Sequence, residues 1–258
     1  MRLTGKTAVV TGGAAGIGGD IVRQLAAEGA RVISVDWDKE DNCEVAASVR
    51  ATGGLCEAHT ADVSSSADVK RIFEEIGPVD ILVNNAAFSK GDGFLLDISE
   101  QIWDQTLAIC LKSVFLCTQA VLSSMVERRA GAIVNISSVN ALSGIHLAAY
   151  SAAKGGVLSL TKVLTAQYGR YGIRINAICP GTILTESSRI YYEANPEVTT
   201  ELKALYPAEK FGSTSDIASA VLFLVSEQAS FINGAILTID GGLSAVHQLP
   251  SLRKATKS

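Results

Sequence analysis

The stretch TAVVTGGAAGIGGD, residues 7–20, decides the fold. A short β-branched run, TAVVT (7–11), passes directly into TGGAAGIGG (11–19), and a helical pattern opens near residue 17. Gly12, Gly16 and Gly18 stand where a chain leaving a strand must turn tightly and let an anion approach its backbone. The free N–H groups and partial positive charge of a helix N-terminus hold a phosphate without any lysine. No Gly-Lys-Ser/Thr follows, which excludes the phosphate loop of nucleotide hydrolases. A tight turn with no ligand is the plainer alternative.

Working outward, the same strand-then-helix rhythm repeats. RVISVD (31–36), LCEAHT (55–60), VDILVN (79–84), AIVNIS (132–137), IRINAI (173–178) and AILTID (235–240) complete seven strand candidates. Their centres are apolar rather than alternating, as parallel strands covered on both faces require. Helical patterns lie near 17–28, 38–50, 66–76, 99–128, 149–169 and 215–226. Right-handed crossovers then predict an α/β, single-domain, Rossmann-type three-layer sandwich around a seven-stranded parallel sheet. The expected dinucleotide-binding catalytic domain spans 1–245, with a C-terminal tail at 246–258. Two segments break the rhythm on the ligand side. SKGDGFLLDIS (89–99) offers Gly91, Asp92 and Gly93 as hinge or turn residues. The excursion 182–211, with Tyr191, Tyr192 and Tyr206, is long enough to be a binding element with short helices of its own.

Composition excludes other classes. The 258 residues carry 22 Lys+Arg and 26 Asp+Glu, a net charge of -4, with 48% hydrophobic residues, so disorder across the chain is excluded. No basic cluster precedes a mild Arg253, Lys254, Lys257 tail, leaving no surface that tracks nucleic acid. No run of eighteen apolar residues and no secretory leader predict neither membrane association nor export, and a cytoplasmic location. Cys43, Cys56, Cys110, Cys117 and Cys179 form no CxxC and read as thiols of a reducing compartment. His59, His146 and His247 lack the HExxH spacing, so no metal site is expected.

Asp36 ends the second strand, eighteen residues past Gly18. A carboxylate there accepts both ribose hydroxyls of NAD and repels the 2′-phosphate of NADP, and neither Ala15 nor Trp37 supplies a rescuing cation. Capping the next helix is its alternative role. Asp62 and Val63 follow the third strand, placed to bracket an adenine ring. Tyr150 and Lys154 lie one helical turn apart and share a face. A phenol titrates near 10, so a neighbouring ammonium is what brings it into use as a base. Ser137 and Ser138 end the fifth strand and point at the same crevice. No G-x-S-x-G elbow exists for a serine hydrolase.

Across residues 3–243 the chain resembles the classical short-chain dehydrogenase/reductase family, through TGGAAGIG (11–18), Asp62, NNAA (84–87), NISS (135–138), YSAAK (150–154), PGTILT (180–185) and DGG (240–242). The resemblance implies a nicotinamide cofactor, Tyr150 as acid/base, Lys154 lowering its pKa and binding the nicotinamide ribose, and Ser138 orienting the substrate oxygen. It implies that Ile17 joins the three glycines at the cofactor and that Asn84 and Asn85 hold the crevice together. Pro180, Gly181, Ile183 and Thr185 would line the nicotinamide, and the assembly would be a homotetramer. Three departures stand out: Cys110 where the family has an asparagine in its water relay, Ser138 twelve rather than thirteen residues before Tyr150, and Ala87 for glycine.

The expected reaction is NAD-dependent, reversible hydride transfer between a secondary alcohol and its ketone. Asn140, His146, Phe88 and Tyr191 are the substrate candidates, and their mix of polar and aromatic groups favours a polyol, sugar or cyclic hydroxy compound. A 3-ketoacyl thioester reductase is the alternative enzyme. A non-catalytic NAD(H)-binding sensor or scaffold, to which Cys110 lends weight, is the alternative without turnover.

Overall fold

A computed structural model describes residues 1–245 of the chain; the expected C-terminal tail lies outside the described residues. The order of elements is β1 (Thr7–Thr11), α1 (Gly16–Ala27), β2 (Arg31–Asp36), α2 (Lys39–Ala51), β3 (Leu55–Thr60), α3 (Ser66–Ile76) and β4 (Ile81–Asn84). There follow α4 (Glu100–Leu107), a π-helical turn (Ala108–Lys112), α5 (Ser113–Arg128), β5 (Gly131–Ile136), α6 (Ala148–Tyr168) and β6 (Ile173–Pro180). The excursion contains β7 (Ile183–Leu184), α7 (Glu186–Ala194), α8 (Pro196–Leu205) and β8 (Gly212–Ser213), and α9 (Thr214–Val225) and β9 (Ile236–Ile239) close the fold.

The main sheet has seven strands, all parallel, in the order β3-β2-β1-β4-β5-β6-β9. The order reverses between β1 and β4, and in such sheets the crevice outside the strand C-termini at that point takes the ligand. Both faces are covered, so successive residues of a strand enter opposite cores. Val10 packs with Ile21, Leu25, Val32 and Ile217 on the α1–α9 side. Val9 packs with Ile33, Leu82, Met125, Ile133 and Ile175 on the α3–α5–α6 side. Truncating a fully buried Leu25 or Leu82 to alanine would cost about 2–5 kcal/mol.

The helical run Glu100–Arg128 is long and apolar enough, by length and composition, to cross a membrane. Its buried residues Cys117, Val121, Leu122 and Met125 instead belong to the core against the sheet. The sequence pattern predicts one unbroken helix there; the structure interrupts it with the π turn around Cys110. The remaining predicted elements appear at their places to within a few residues, and the excursion does carry its own helices.

Most helices that open after a loop begin with their own cap. Asp38, Ser65, Ser99 and Thr185 accept first-turn N–H groups of α2, α3, α4 and α7. α1 and α6 have no such side chain. Both begin at the crevice, whereas α8, equally without a side-chain cap, starts with Pro196.

Candidate active site

The nucleotide end is built mostly from backbone. Gly12 (φ +67°) and Gly16 (φ +54°) occupy the left-handed region that glycine tolerates. A Cβ on Gly12 would lie 2.9 Å from Ala86 Cα, and one on Gly18 would strike the Gly12 carbonyl. The glycines therefore let the loop, the α1 N-terminus and the end of β4 close on one another. Asn85 fastens them: its Nδ2 donates to the carbonyls of Thr11 (3.0 Å) and Gly12 (2.9 Å), and its backbone N–H donates to Thr11 Oγ1 (3.0 Å). The first turn of α1 contains Ile17 and has neither a capping side chain nor an acidic residue. That is a cradle fitted to a diphosphate.

Asp36 joins the cradle directly. Its Oδ2 accepts the Ala14 N–H at 3.0 Å and its Oδ1 the Asp38 N–H at 3.0 Å. The capping role is excluded, because Asp38 caps α2 through Glu40 and Asp41. A carboxylate has about four lone-pair directions, so two remain for ligand hydroxyls. Asp62 turns to its own loop, accepting Ser64 N–H (2.8 Å) and Ser64 Oγ–H (2.7 Å) on Oδ1. Val63 is buried in the core beside Val35 and Ala61. On the opposite wall Pro180 pairs with Ile239, while Ile183 pairs with Gly212 and is buried. Gly181 fits against Asp240, whose Cα would lie 3.0 Å from an added Cβ. Thr185 caps α7, and its Cγ2 would lie 3.0 Å from a Cβ on Gly16, so the two walls meet.

The catalytic end is built from side chains. Ser137 and Ser138 divide as the strand period demands. Ser137 Oγ donates into the protein, to the Lys154 carbonyl at 2.9 Å. Ser138 instead lies close enough to the Tyr150 phenol to oppose the rise of its pKa. Its hydroxyl also donates to Asn140 Oδ1 (3.1 Å) and accepts the Asn140 N–H (3.2 Å). The Lys154 ammonium is 1% exposed, donates to the Ile136 carbonyl at 2.7 Å and stands 5.5 Å from the Tyr150 ring centroid. Burial lowers the Lys154 pKa, opposed by the nearby Cys110 and Cys179 thiols.

Burial also pushes the Tyr150 phenol above its usual value, with Cys110 adding to the rise and Ser138 opposing it. The lowering expected of Lys154 is thus not achieved by Lys154 alone. Its ammonium is engaged by a carbonyl and sits over the ring, so the buried phenolate lacks a full counter-charge. The positive charge of an oxidised nicotinamide would act in the needed direction.

Cys110 is fully buried in the π turn and grips the strand-end loop at two points. It accepts the Phe88 N–H at 3.2 Å and donates to the Phe88 carbonyl at 3.3 Å. Of the other substrate candidates, His146 is exposed, with its ring 6.0 Å from that of Phe94, and its carbonyl accepts Asn140 Nδ2 at 3.3 Å. Tyr191 is 54% exposed on α7, 5.4 Å from Tyr192. Tyr206 serves the fold, since its buried hydroxyl accepts the Thr182 N–H at 2.8 Å and donates to Thr182 Oγ1 at 2.7 Å.

Asp92 closes a turn, its N–H donating to the Ser89 carbonyl at 3.2 Å, and its side chain does more. Its Oδ1 accepts the N–H groups of Gly93 (2.8 Å) and Ala149 (3.2 Å), and its Oδ2 accepts that of Tyr150 at 2.8 Å. Sequence reasoning missed this because the partners lie 57 and 58 residues away. The missing cap before Ala148 was the signal available: neither Leu147 nor His146 provides a preferred N-cap side chain.

Residues 12–244 match the family model described as "Enoyl-(Acyl carrier protein) reductase". The chain is 39% identical over 254 residues to 2-(S)-hydroxypropyl-CoM dehydrogenase 3 of Xanthobacter autotrophicus, covering 95% of this chain and 99% of that protein. It is 40% identical over 248 residues to D-threitol dehydrogenase of Mycolicibacterium smegmatis, covering 94% of each. A crystal structure of a putative 2-deoxy-D-gluconate 3-dehydrogenase from Agrobacterium tumefaciens with bound NADP superposes with a TM-score of 0.88 at 35% identity, covering 95% of this chain and 98% of that one.

Proposed function

The chain belongs to the short-chain dehydrogenase/reductase family and is an NAD(P)-dependent oxidoreductase of alcohols and ketones, and from that premise we propose that it is an NAD-dependent dehydrogenase of a polyol, sugar or cyclic hydroxy compound. The observation that carries the cofactor choice is the Asp36 carboxylate bonded to Ala14 in the glycine loop. A 2′-phosphate would meet that negative charge at close range. The fold alone does not decide, since the similar Agrobacterium protein holds NADP. In this reading Gly12, Gly16, Ile17 and Gly18 hold the diphosphate, Asp36 the adenosine ribose, and Asp62 the adenine edge. Pro180, Gly181, Ile183 and Thr185 hold the nicotinamide end.

When bound, the dinucleotide accepts or delivers the hydride at its nicotinamide ring. The protein manages the proton and the alignment. In oxidation Tyr150 Oη, as phenolate, takes the hydroxyl proton of the alcohol while Ser138 Oγ holds the same oxygen. Lys154 steadies the anion and the cofactor ribose. Reduction runs each role backwards, with the neutral phenol giving its proton to the carbonyl oxygen.

The polyol preference is supported by the polar groups around Ser138, with Asn140 bonded to it and His146 nearby, and by likeness to a dehydrogenase of D-threitol, itself a polyol. In this reading Phe88 and Tyr191 would add aromatic surface to the substrate side. The proximity of Ser138, Tyr150 and Lys154 supports turnover over the sensor reading. A homotetramer in the cytoplasm completes the proposal. Exposed Phe115 on α5, Phe231 and the β9 edge residue Leu237 support the first, and five free cysteines, four of them buried, the second.

The test is NADH formation across polyols, sugars, cyclic diols and simple secondary alcohols with NAD and with NADP, beside Tyr150→Phe. Turnover of a polyhydroxy or cyclic substrate, stronger with NAD and lost in the variant, is expected. Turnover confined to ketoacyl thioesters with NADPH would overturn the proposal.

A further inference from the structure

We propose that Asp92 is a positioning residue of the reaction: delivered from the loop between β4 and α4, its carboxylate fixes the first turn of α6 and so holds the Tyr150 hydroxyl beside Ser138 and Lys154. The inference rests on Tyr150 being the acid/base.

The hydrogen-bond accounting of α6 leads to this assignment. A helix leaves its first N–H groups without partners. Leu147, at the N-cap, has φ +94° and ψ +77° and no side-chain acceptor. Ser151 is the first residue bonded within the helix, to the Leu147 carbonyl at 3.0 Å. The three N–H groups before it are all satisfied by two adjacent loop residues. Ala148 donates to the Gly93 carbonyl at 3.0 Å, Ala149 to Asp92 Oδ1 at 3.2 Å and Tyr150 to Asp92 Oδ2 at 2.8 Å. The carboxylate thus spans two N–H groups, and one of them belongs to Tyr150 itself.

The negative charge suits the positive end of α6, and the carboxylate is tied on its own side by the Gly93 N–H at 2.8 Å. The same loop touches the site twice more. Phe88 is held at both backbone groups by Cys110, and the Phe94 ring lies 6.0 Å from that of His146. Asp92 therefore joins the substrate-side loop to the residue that moves the proton. A cap needed only for folding would leave the phenol's surroundings, namely Ser138, Lys154, Cys110 and Cys179, unchanged once the protein has folded.

The experiment compares Asp92→Ala and Asp92→Asn with the full-length protein and with Tyr150→Phe. Asn keeps one acceptor oxygen and turns an N–H2 toward the other donor, so it preserves shape while breaking one bond. Amide exchange measured over 148–151 should rise about tenfold in the Ala variant, as expected for a lost cap, and less in the Asn variant. The Tyr150 phenol, followed by 13C-tyrosine NMR and assigned with Tyr150→Phe, should titrate lower, toward about 10, as the frayed turn admits water. In reduction of the matching ketone, which uses the neutral phenol, kcat should fall about tenfold while the NADH dissociation constant stays within about twofold. Unchanged exchange at 148–151 with an unchanged Tyr150 titration would overturn the proposal. Exchange rising equally throughout the sheet in both variants would also overturn it, since the role would then be structural. Retained turnover in Tyr150→Phe would instead sink the acid/base assignment, which separates the two failures.

Discussion

The two ends of the crevice are made in different ways. At the nucleotide end, backbone groups and glycines within residues 11–18 form most of the cradle, and Asn85 and Asp36 brace it from the neighbouring strands. At the proposed catalytic end, Ser138 stands just past β5 and Tyr150 and Lys154 on α6, with Asp92 on the Tyr150 N–H and Cys110 holding Phe88 from elsewhere in the chain. A dinucleotide's diphosphate is a constant feature that a local motif can meet, whereas substrate and proton need side chains placed to within fractions of an ångström. The first end should therefore tolerate changes in surrounding loops better than the second.

Breaking the catalytic end should have the largest effect. Tyr150→Phe is expected to lower turnover by roughly 10²–10⁴, the range of general acid–base catalysis, with NADH affinity almost intact. Loss of cofactor binding in proportion to turnover would move Tyr150 into the other region. The glycine cradle should respond in the opposite sense. Gly18→Ala places a methyl against the Gly12 carbonyl and should weaken NADH binding by about tenfold or more. Fluorescence titration of NADH checks this, and wild-type affinity would show that the loop can yield.

Proton management gives a third contrast. Burial raises the Tyr150 phenol, and alcohol oxidation requires it ionised. Oxidation at saturating alcohol should therefore rise with pH from neutrality, approaching about tenfold per unit while the phenol remains mostly protonated. Reduction, which uses the neutral phenol, should not share that rise. A pH-independent oxidation rate would contradict the assigned base. Binding of NADH, whose nicotinamide ring carries no charge to couple with the phenol, should vary far less over the same range.

Between the two ends runs a buried polar chain that both share. Asn84 Nδ2 donates to Asn135 Oδ1 at 2.8 Å, and Asn135 Nδ2 donates to Thr161 Oγ1 at 2.9 Å on α6. Asn135→Ala removes one bond from each buried partner, leaving Asn84 Nδ2 only Thr118 Oγ1 and Thr161 Oγ1 only the Val157 carbonyl, and should cost about 1–3 kcal/mol in thermal or denaturant unfolding. An unchanged midpoint would mean the strand ends are held by packing alone. The smallest effect is expected at Cys110. Cys110→Ser keeps a donor and an acceptor for Phe88 and should stay within about threefold of wild type, while Cys110→Ala should fall further. Identical rates for both would remove the Phe88 tether from the account.

The same contrast decided what could be read from the sequence. The strand rhythm, the glycine turn and Asp36 depend on contacts near in sequence or on the strand period, and they were legible. So was the placement of Ser138, because one residue's shift along a strand reverses its face. The π turn was not, since its sequence continues a helical pattern and the detour depends on the buried Cys110–Phe88 pairing. Asp92 read only as a hinge or turn residue because Gly91 and Gly93 flank it, and its side-chain partners 57 and 58 residues away were out of reach. Tyr206 read only as part of the ligand-side excursion, and the tie of its hydroxyl to Thr182 just past β6 was not legible.

The most direct test of the central claim needs no substrate: equilibrium titration of NADH and NADPH into the wild-type protein and Asp36→Ala. The wild type should bind NADH more tightly by about tenfold or more, and the variant should lose most of that preference, a change of about 1.4 kcal/mol or more. Equal affinity for the two in the wild type, or a preference unchanged by the substitution, would contradict the role assigned to the carboxylate at the glycine loop.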